Sequence, residues 1–263
     1  MQLDLGGRHA LVCGASQGIG RACAIELAEL GASVTLLARS ADKLRDVAES
    51  LPRMHSGQRH DWRCVDMLDT AGLRATAAGI AADAAVHILI NNTGGPPGGP
   101  AYSAEPEAYE TAFRQHLLAG QVLLQALLPG MRASGYGRLV NVISTSVKEP
   151  IAGLGVSNTV RAAVAGWAKT LSAELAADGI TVNNVLPGYT RTQRLDGLLA
   201  AQAAASGRNE DAIAQAMLAS VPARRFGEAG EVAAVIAFLC TPAAAYVNGV
   251  SIAVDGGRTR ALS

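Results

Sequence analysis

The chain has 263 residues, with 22 lysines and arginines balanced by 22 aspartates and glutamates. So even a charge balance offers no field to gather nucleic acid or an anionic membrane surface, and no apolar run reaches the length of a membrane span. One α/β domain over 1–263 is expected, and the four scattered cysteines (Cys13, Cys23, Cys64, Cys240), lacking metal-ligand spacing or a preceding charged leader, fit a reduced, metal-free, cytoplasmic protein.

Residues 10–12 read as a buried strand, and 19–30 carries helical periodicity. Between and at their junction stand Gly14, Ser16, Gln17, Gly18, Ile19 and Gly20. Glycine removes side chains where the backbone turns sharply, where a pyrophosphate comes close, and where a helix packs on its strand. The helix N-terminus adds free N–H groups and partial positive charge. A ligand-free glycine turn is the plainer account, and the strand–helix alternation that follows weighs against it. Strand 33–38 and amphipathic helix 41–51 come next. At the end of that strand, NAD-binding folds place an acid for the ribose 2′-hydroxyl, and an arginine accommodates a 2′-phosphate. Arg39-Ser40 stands there and the first acid is Asp42, so NADP is expected in preference to NAD. A solvated loop charge is the other account of Arg39.

A weaker strand at 61–65 ends at Asp66-Met67, a helix follows over 69–82, and strand 86–90 closes in Asn91-Asn92-Thr93-Gly94. This alternation predicts a doubly wound, Rossmann-type parallel sheet with helices on both faces and ligand at the carboxyl ends of the strands. The glycine- and proline-rich 94–100 is a loop above that crevice. A long helix is expected over 105–133, then strand 139–143, loop 144–155, helix 158–177 and strand 180–186, which runs into Pro187-Gly188. The alanine-rich 189–220 reads as two short helices outside the sheet, covering a small-molecule substrate. Its Leu198, Leu199, Ile213, Met217 and Leu218 suit an apolar or mixed substrate, or simply pack on one another. Helix 228–239 and strand 250–254 complete seven strands. Both long helices are apolar on more than one face, which predicts a homo-oligomer, a dimer or tetramer.

These motifs together resemble the short-chain dehydrogenase/reductase family over nearly the whole chain. The resemblance rests on Gly14-x-x-x-Gly18-x-Gly20, Asp66, Asn91-Asn92-Thr93-Gly94 in place of Asn-Asn-Ala-Gly, Ser144, Pro187-Gly188 and Val254-Asp255-Gly256-Gly257. Arg224-Arg225-Phe226-Gly227-Glu228 is similar to a further family segment, and the overall pattern is nearest to the 3-oxoacyl-carrier-protein reductases. The resemblance implies that Ser16, Gln17 and Ile19 line the phosphate turn, that Asp66, beside Met67, meets the adenine, and that Asn92 and Gly94 flank the adenosine ribose. It implies Pro187, Gly188, Thr190 and Thr192 at the nicotinamide end. Structural accounts exist as well: Asn91 and Asn92 as strand ties, Pro187-Gly188 as a turn.

The catalytic positions depart from the family. Its reductases use a tyrosine, a lysine four residues on, a serine and an asparagine; here these fall on Ser157, Arg161, Ser144 and His116. Serine is a far weaker acid than a phenol, and a guanidinium hardly gives up its proton. Arg161 can still bind a ribose hydroxyl. His116, with an ordinary pKa near neutrality, and Lys148, if desolvated, are candidate acids, and Ser144 a hydrogen-bond donor to the substrate. Each has a structural alternative: a packed histidine, an exposed Lys148–Glu149 pair, a strand-end cap. Two other functions stay open, a nucleotide-binding sensor or partner subunit without turnover, and changed chemistry on the same scaffold.

Overall fold

The computed structural model describes residues 1–262. Strands β1 (His9–Cys13), β2 (Ser33–Ala38), β3 (His60–Cys64), β4 (Ile88–Asn91), β5 (Gly137–Val142), β6 (Ile180–Pro187) and β7 (Ser251–Val254) form one parallel sheet in the order β3-β2-β1-β4-β5-β6-β7. The order reverses between β1 and β4, and a crevice opens at that point outside the carboxyl ends of the strands. The helices are α1 (Gly18–Glu29), α2 (Ala41–Ser50), α3 (Thr70–Asp83), α4 (Pro106–Phe113), α5 (Ala119–Ala133), α6 (Gly155–Glu174), α7 (Gln193–Ser206), α8 (Glu210–Ala219) and α9 (Ala229–Cys240). None is long and apolar enough to cross a membrane.

Alternate residues of each central strand feed opposite cores, as the two-residue period of a strand demands. Ala10 and Val12 of β1, with Ile88 and Ile90 of β4, pack under α1, α2 and α9. Leu11, Cys13 and Leu89 pack under α3, α5 and α6. Leu123 of α5 is wholly buried there, and truncating such a leucine to alanine costs about 2–5 kcal/mol. A polar ladder crosses the same sheet. Asn91 donates to Asn141 (2.9 Å), Asn141 to Asn184 (3.0 Å) and Asn184 to Ser251 (3.1 Å), each pair directly opposed in register.

Two segments differ from the sequence expectation. The long helix over 105–133 is divided: Arg114–Leu118 forms a π turn between α4 and α5. Helix α6 begins at Gly155, three residues early, so Ser157 lies in its first turn. Gly155 closes the expected loop, yet here its missing side chain lets the helix start lie against the Ala101 backbone, where a Cβ would collide, and its N–H bonds the Gly99 carbonyl at 2.9 Å. In 189–220, α7 and α8 form the expected pair, with Leu195, Ile213 and Met217 sharing a small core with Phe226. Packing, not substrate, therefore accounts for most of that segment's apolar residues. Phe113 and Leu118 remain exposed on the α4–α5 side.

Candidate active site

A cleft of about 530 Å³ occupies the crevice. Its floor is the turn between β1 and α1: Gly14, Ser16, Gln17, Gly18 and Ile19. Gly14 has φ +61°, and a Cβ there would stand 2.6 Å from the Asn92 carbonyl oxygen. Gly18 has φ +57°, and its Cβ would meet Thr192 at 3.3 Å. Gly20 lies buried beneath, with no room for a side chain against the Gly14 carbonyl. Gln17 caps α1 without a side-chain hydrogen bond, so side chains leave the first-turn N–H groups uncapped. A side-chain-free cradle at such a helix end fits a diphosphate.

The end of β2 forms one extremity of the cleft, lined by Arg39, Ser40 and Lys43 together with Val65, Asp66 and Met67. Arg39, three-quarters exposed, stands 3.8 Å from Asp66. Lys43 was not among the residues the sequence singled out; its position one helical turn beyond Ser40 is the signal that could have found it. Asn92 and Gly94 also line the cleft. The Asn92 amide donates to the Cys13 (3.3 Å) and Gly14 (3.4 Å) carbonyls, so it ties β4 to the glycine turn. Asn91 lies outside the cleft and is a strand tie in the ladder.

At the opposite extremity the lining passes to Pro187, Gly188, Thr190 and Thr192, and to Ser157 and Arg161 from one face of α6. Gly188 is required by packing, since a Cβ would lie 2.7 Å from the Asp255 Cα. Arg161 is buried, donates to the Val142 carbonyl at 3.0 Å, and has its pKa lowered to about 10, first by burial and then by Arg194. Arg194, in the first turn of α7, reaches over the 94–100 loop and donates to the Gly95 (3.0 Å) and Pro96 (2.9 Å) carbonyls. Sequence reasoning missed Arg194, whose partners lie about a hundred residues away in the chain.

Ser144, His116 and Lys148 are not in the wall of this cleft. The Ser144 hydroxyl accepts from the Ser146 N–H at 3.1 Å and caps a single 3-10 turn. Lys148 ends that turn half-buried, while the neighbouring Glu149 accepts from the Arg260 N–H at 2.7 Å instead of pairing with it. His116 sits on the π turn, its Nδ1 bonded to the Thr93 hydroxyl, and Thr93 does line the cleft. Burial, then Arg161 and Arg194, lower its pKa to about 3, which leaves the ring neutral near pH 7. Its Nε2 and the Asn91 Oδ1, both buried without partners, face a second, much smaller cavity behind Thr93. Thr93 and His116 thus meet as a pair.

A side-chain-free phosphate cradle at the reversal point of a parallel sheet defines a dinucleotide-binding class of protein. The chain belongs to the short-chain dehydrogenase/reductase family: a model of that family, described as enoyl-(acyl carrier protein) reductase, matches residues 14–259. It is 33% identical over 258 residues to the 3-oxoacyl-[acyl-carrier-protein] reductase FabG of Vibrio harveyi, covering 97% of this chain and 98% of that one. It is 30% identical to the NADPH-dependent reductase BacG of Bacillus subtilis, over 97% of this chain and 99% of the relative. Among solved structures, L-sorbose reductase of Gluconobacter frateurii, complexed with NADPH and L-sorbose, superposes with a TM-score of 0.92 at 30% identity, covering all of both chains.

Proposed function

We propose that this protein is an NADP(H)-dependent oxidoreductase that interconverts a carbonyl and an alcohol. The observation that carries the reading is the cleft itself, which joins a phosphate cradle at one end of α1 to two cations, Arg39 and Lys43, beyond β2. NADPH, when bound, supplies the hydride. Gly14 to Ile19 hold its diphosphate, Arg39, Ser40 and Lys43 its 2′-phosphate, and Asp66, Met67, Asn92 and Gly94 its adenosine. Pro187, Gly188, Thr190 and Thr192 hold the nicotinamide end. The named relatives, an NADPH-dependent reductase and an NADPH complex among them, support this assignment.

Ser157 takes the place where the family carries its acid. Its hydroxyl hydrogen-bonds the reacting oxygen, and the Arg161 charge, one turn along α6, stabilises the alkoxide as it forms. A serine hydroxyl does not stay ionised at neutral pH, so Ser157 passes on a proton that water in the open cleft restores. His116 is too deep and too weak a base to give a proton directly; it orients Thr93. Ser144 holds the loop beside β5, and Lys148 borders it. The exposed Phe113 and Leu118 belong to a contact between copies in a homo-oligomer.

Deuteride transfer tests the reading. The protein is incubated with NADPH deuterated at C4 and a panel of ketones, 3-oxoacyl thioesters and enones, and products are read by mass spectrometry. A labelled alcohol is expected. Label on carbon of an enone points to changed chemistry, and no label with NADPH binding confirmed overturns the reading in favour of a sensor or partner subunit.

A further inference from the structure

Arg161 is only 8% exposed, yet its guanidinium has a single protein acceptor, the Val142 carbonyl at 3.0 Å. A guanidinium carries five N–H donors and cannot shed its charge. Arg194 faces it across Gly95: a Cβ on that glycine would lie 3.0 Å from the Arg194 Nη2 and 3.4 Å from the Arg161 Nη2. Two cations therefore converge on one point of the cleft wall. Neither takes part in an ion pair among the described residues. The one carboxylate in the lining, Asp66, belongs to the far extremity and stands by Arg39. A buried guanidinium held beside a second, exposed one without a counter-ion is costly to maintain, and an anion that enters between the two relieves the cost.

We propose that Arg161 and Arg194 clamp a carboxylate, so that the substrate is an oxo acid, or the hydroxy acid it forms. This rests on the reading of the cleft as a hydride-transfer site. Arg161 follows Ser157 by one turn on the same face of α6, which sets the anion beside the hydroxyl that meets the reacting oxygen. Arg194 already gives one N–H from each terminal nitrogen to Gly95 and Pro96. Most donors of the two guanidinium groups remain free, and planar guanidinium forks suit the paired oxygens of a carboxylate. The diphosphate cradle, by contrast, is built from backbone at α1.

The test is binding without turnover. The protein saturated with NADP⁺ is titrated, by calorimetry or saturation-transfer NMR, with 2-oxobutanoate, 3-oxobutanoate and 4-oxopentanoate and with the methyl ester of each. Cofactor and ketone are both oxidised, so no reaction intervenes. At least one acid is expected to bind tenfold or more tightly than its ester, and Arg194→Gln, a change at an exposed residue, to erase that preference while NADP⁺ affinity holds within twofold. Equal affinity for acid and ester, or no binding of any acid, overturns the clamp. So does an Arg194→Gln protein that loses NADP⁺ affinity tenfold and keeps the preference, which would give the arginines to the cofactor. A preserved preference for acids with no deuterium label in any product would instead retire the hydride-transfer reading and leave the clamp standing.

Discussion

The two ends of the cleft are built on different principles. At the end floored by Gly14 to Gly20 the wall is mostly backbone: a turn that requires positive φ, carbonyls that leave no room for a Cβ, a helix end without a side-chain cap. From Ser157 to Arg194 it is mostly side chains, delivered by α6, α7 and the loop after β6. A backbone cradle tolerates little change, because each substitution meets a neighbouring main chain. A side-chain wall can exchange its chemistry one residue at a time and keep the fold. That contrast would let one end keep a dinucleotide-binding pattern while the chemistry of the other changes.

The strongest way to break the contrast is Gly14→Ala. Its Cβ would sit 2.6 Å from the Asn92 carbonyl at a φ disfavoured for alanine, so NADPH affinity should fall at least about a hundredfold, read by nucleotide fluorescence. Unchanged affinity would mean that the cradle can flex and that the backbone is not the determinant.

A second test sharpens the other end. The His116 pKa in the fold, about 3, lies below the ordinary 6.5, so as pH falls below 6.5 the unfolded chain takes up the proton first. Stability is therefore fully present above that pH and is lost towards pH 3, at up to about 1.4 kcal/mol per pH unit. His116→Gln should unfold in urea with a shallower loss between pH 7 and pH 5 than the parent. Parallel losses would show the ring to be open to protons and available as a direct acid.

The smallest effect is expected at Arg39, which is exposed. Arg39→Ala should weaken NADPH about tenfold, on the order of 1.4 kcal/mol, and leave NADH unchanged. Equal weakening of both would remove the 2′-phosphate from the account of that extremity.

The same contrast governs what the sequence made legible. The strands, the glycine turn, Asp66 and Pro187-Gly188 were readable because backbone geometry restricts which residues serve there, and burial on both faces makes central strands continuous apolar runs. The edge strand β3, part-buried and polar, gives the weaker signal, and strand ends are off by one or two residues there and in the central β4 and β5 alike. The π turn at Arg114–Leu118 was invisible: it rotates the following helix, but a segment apolar on several faces has no stripe whose phase could break. Arg194 was missed for another reason. Its partners, Gly95 and Pro96, lie in a loop that carries no periodicity, and only the closed fold brings them under α7. Thr93 and His116 could each be noticed as a departure, but not their meeting.

The asparagine ladder bears on how the sheet is assembled. Purely apolar strands can slide past one another and still bury grease, so a parallel sheet of leucines and valines is poorly protected against misalignment during folding. Here a shift of one residue between β4 and β5, or between β5 and β6, would turn an amide to the opposite layer and strand its partner without a mate in a dry interior. Three side chains thus act as alignment pins: they single out one pairing of four strands and make near-miss collapsed states short-lived.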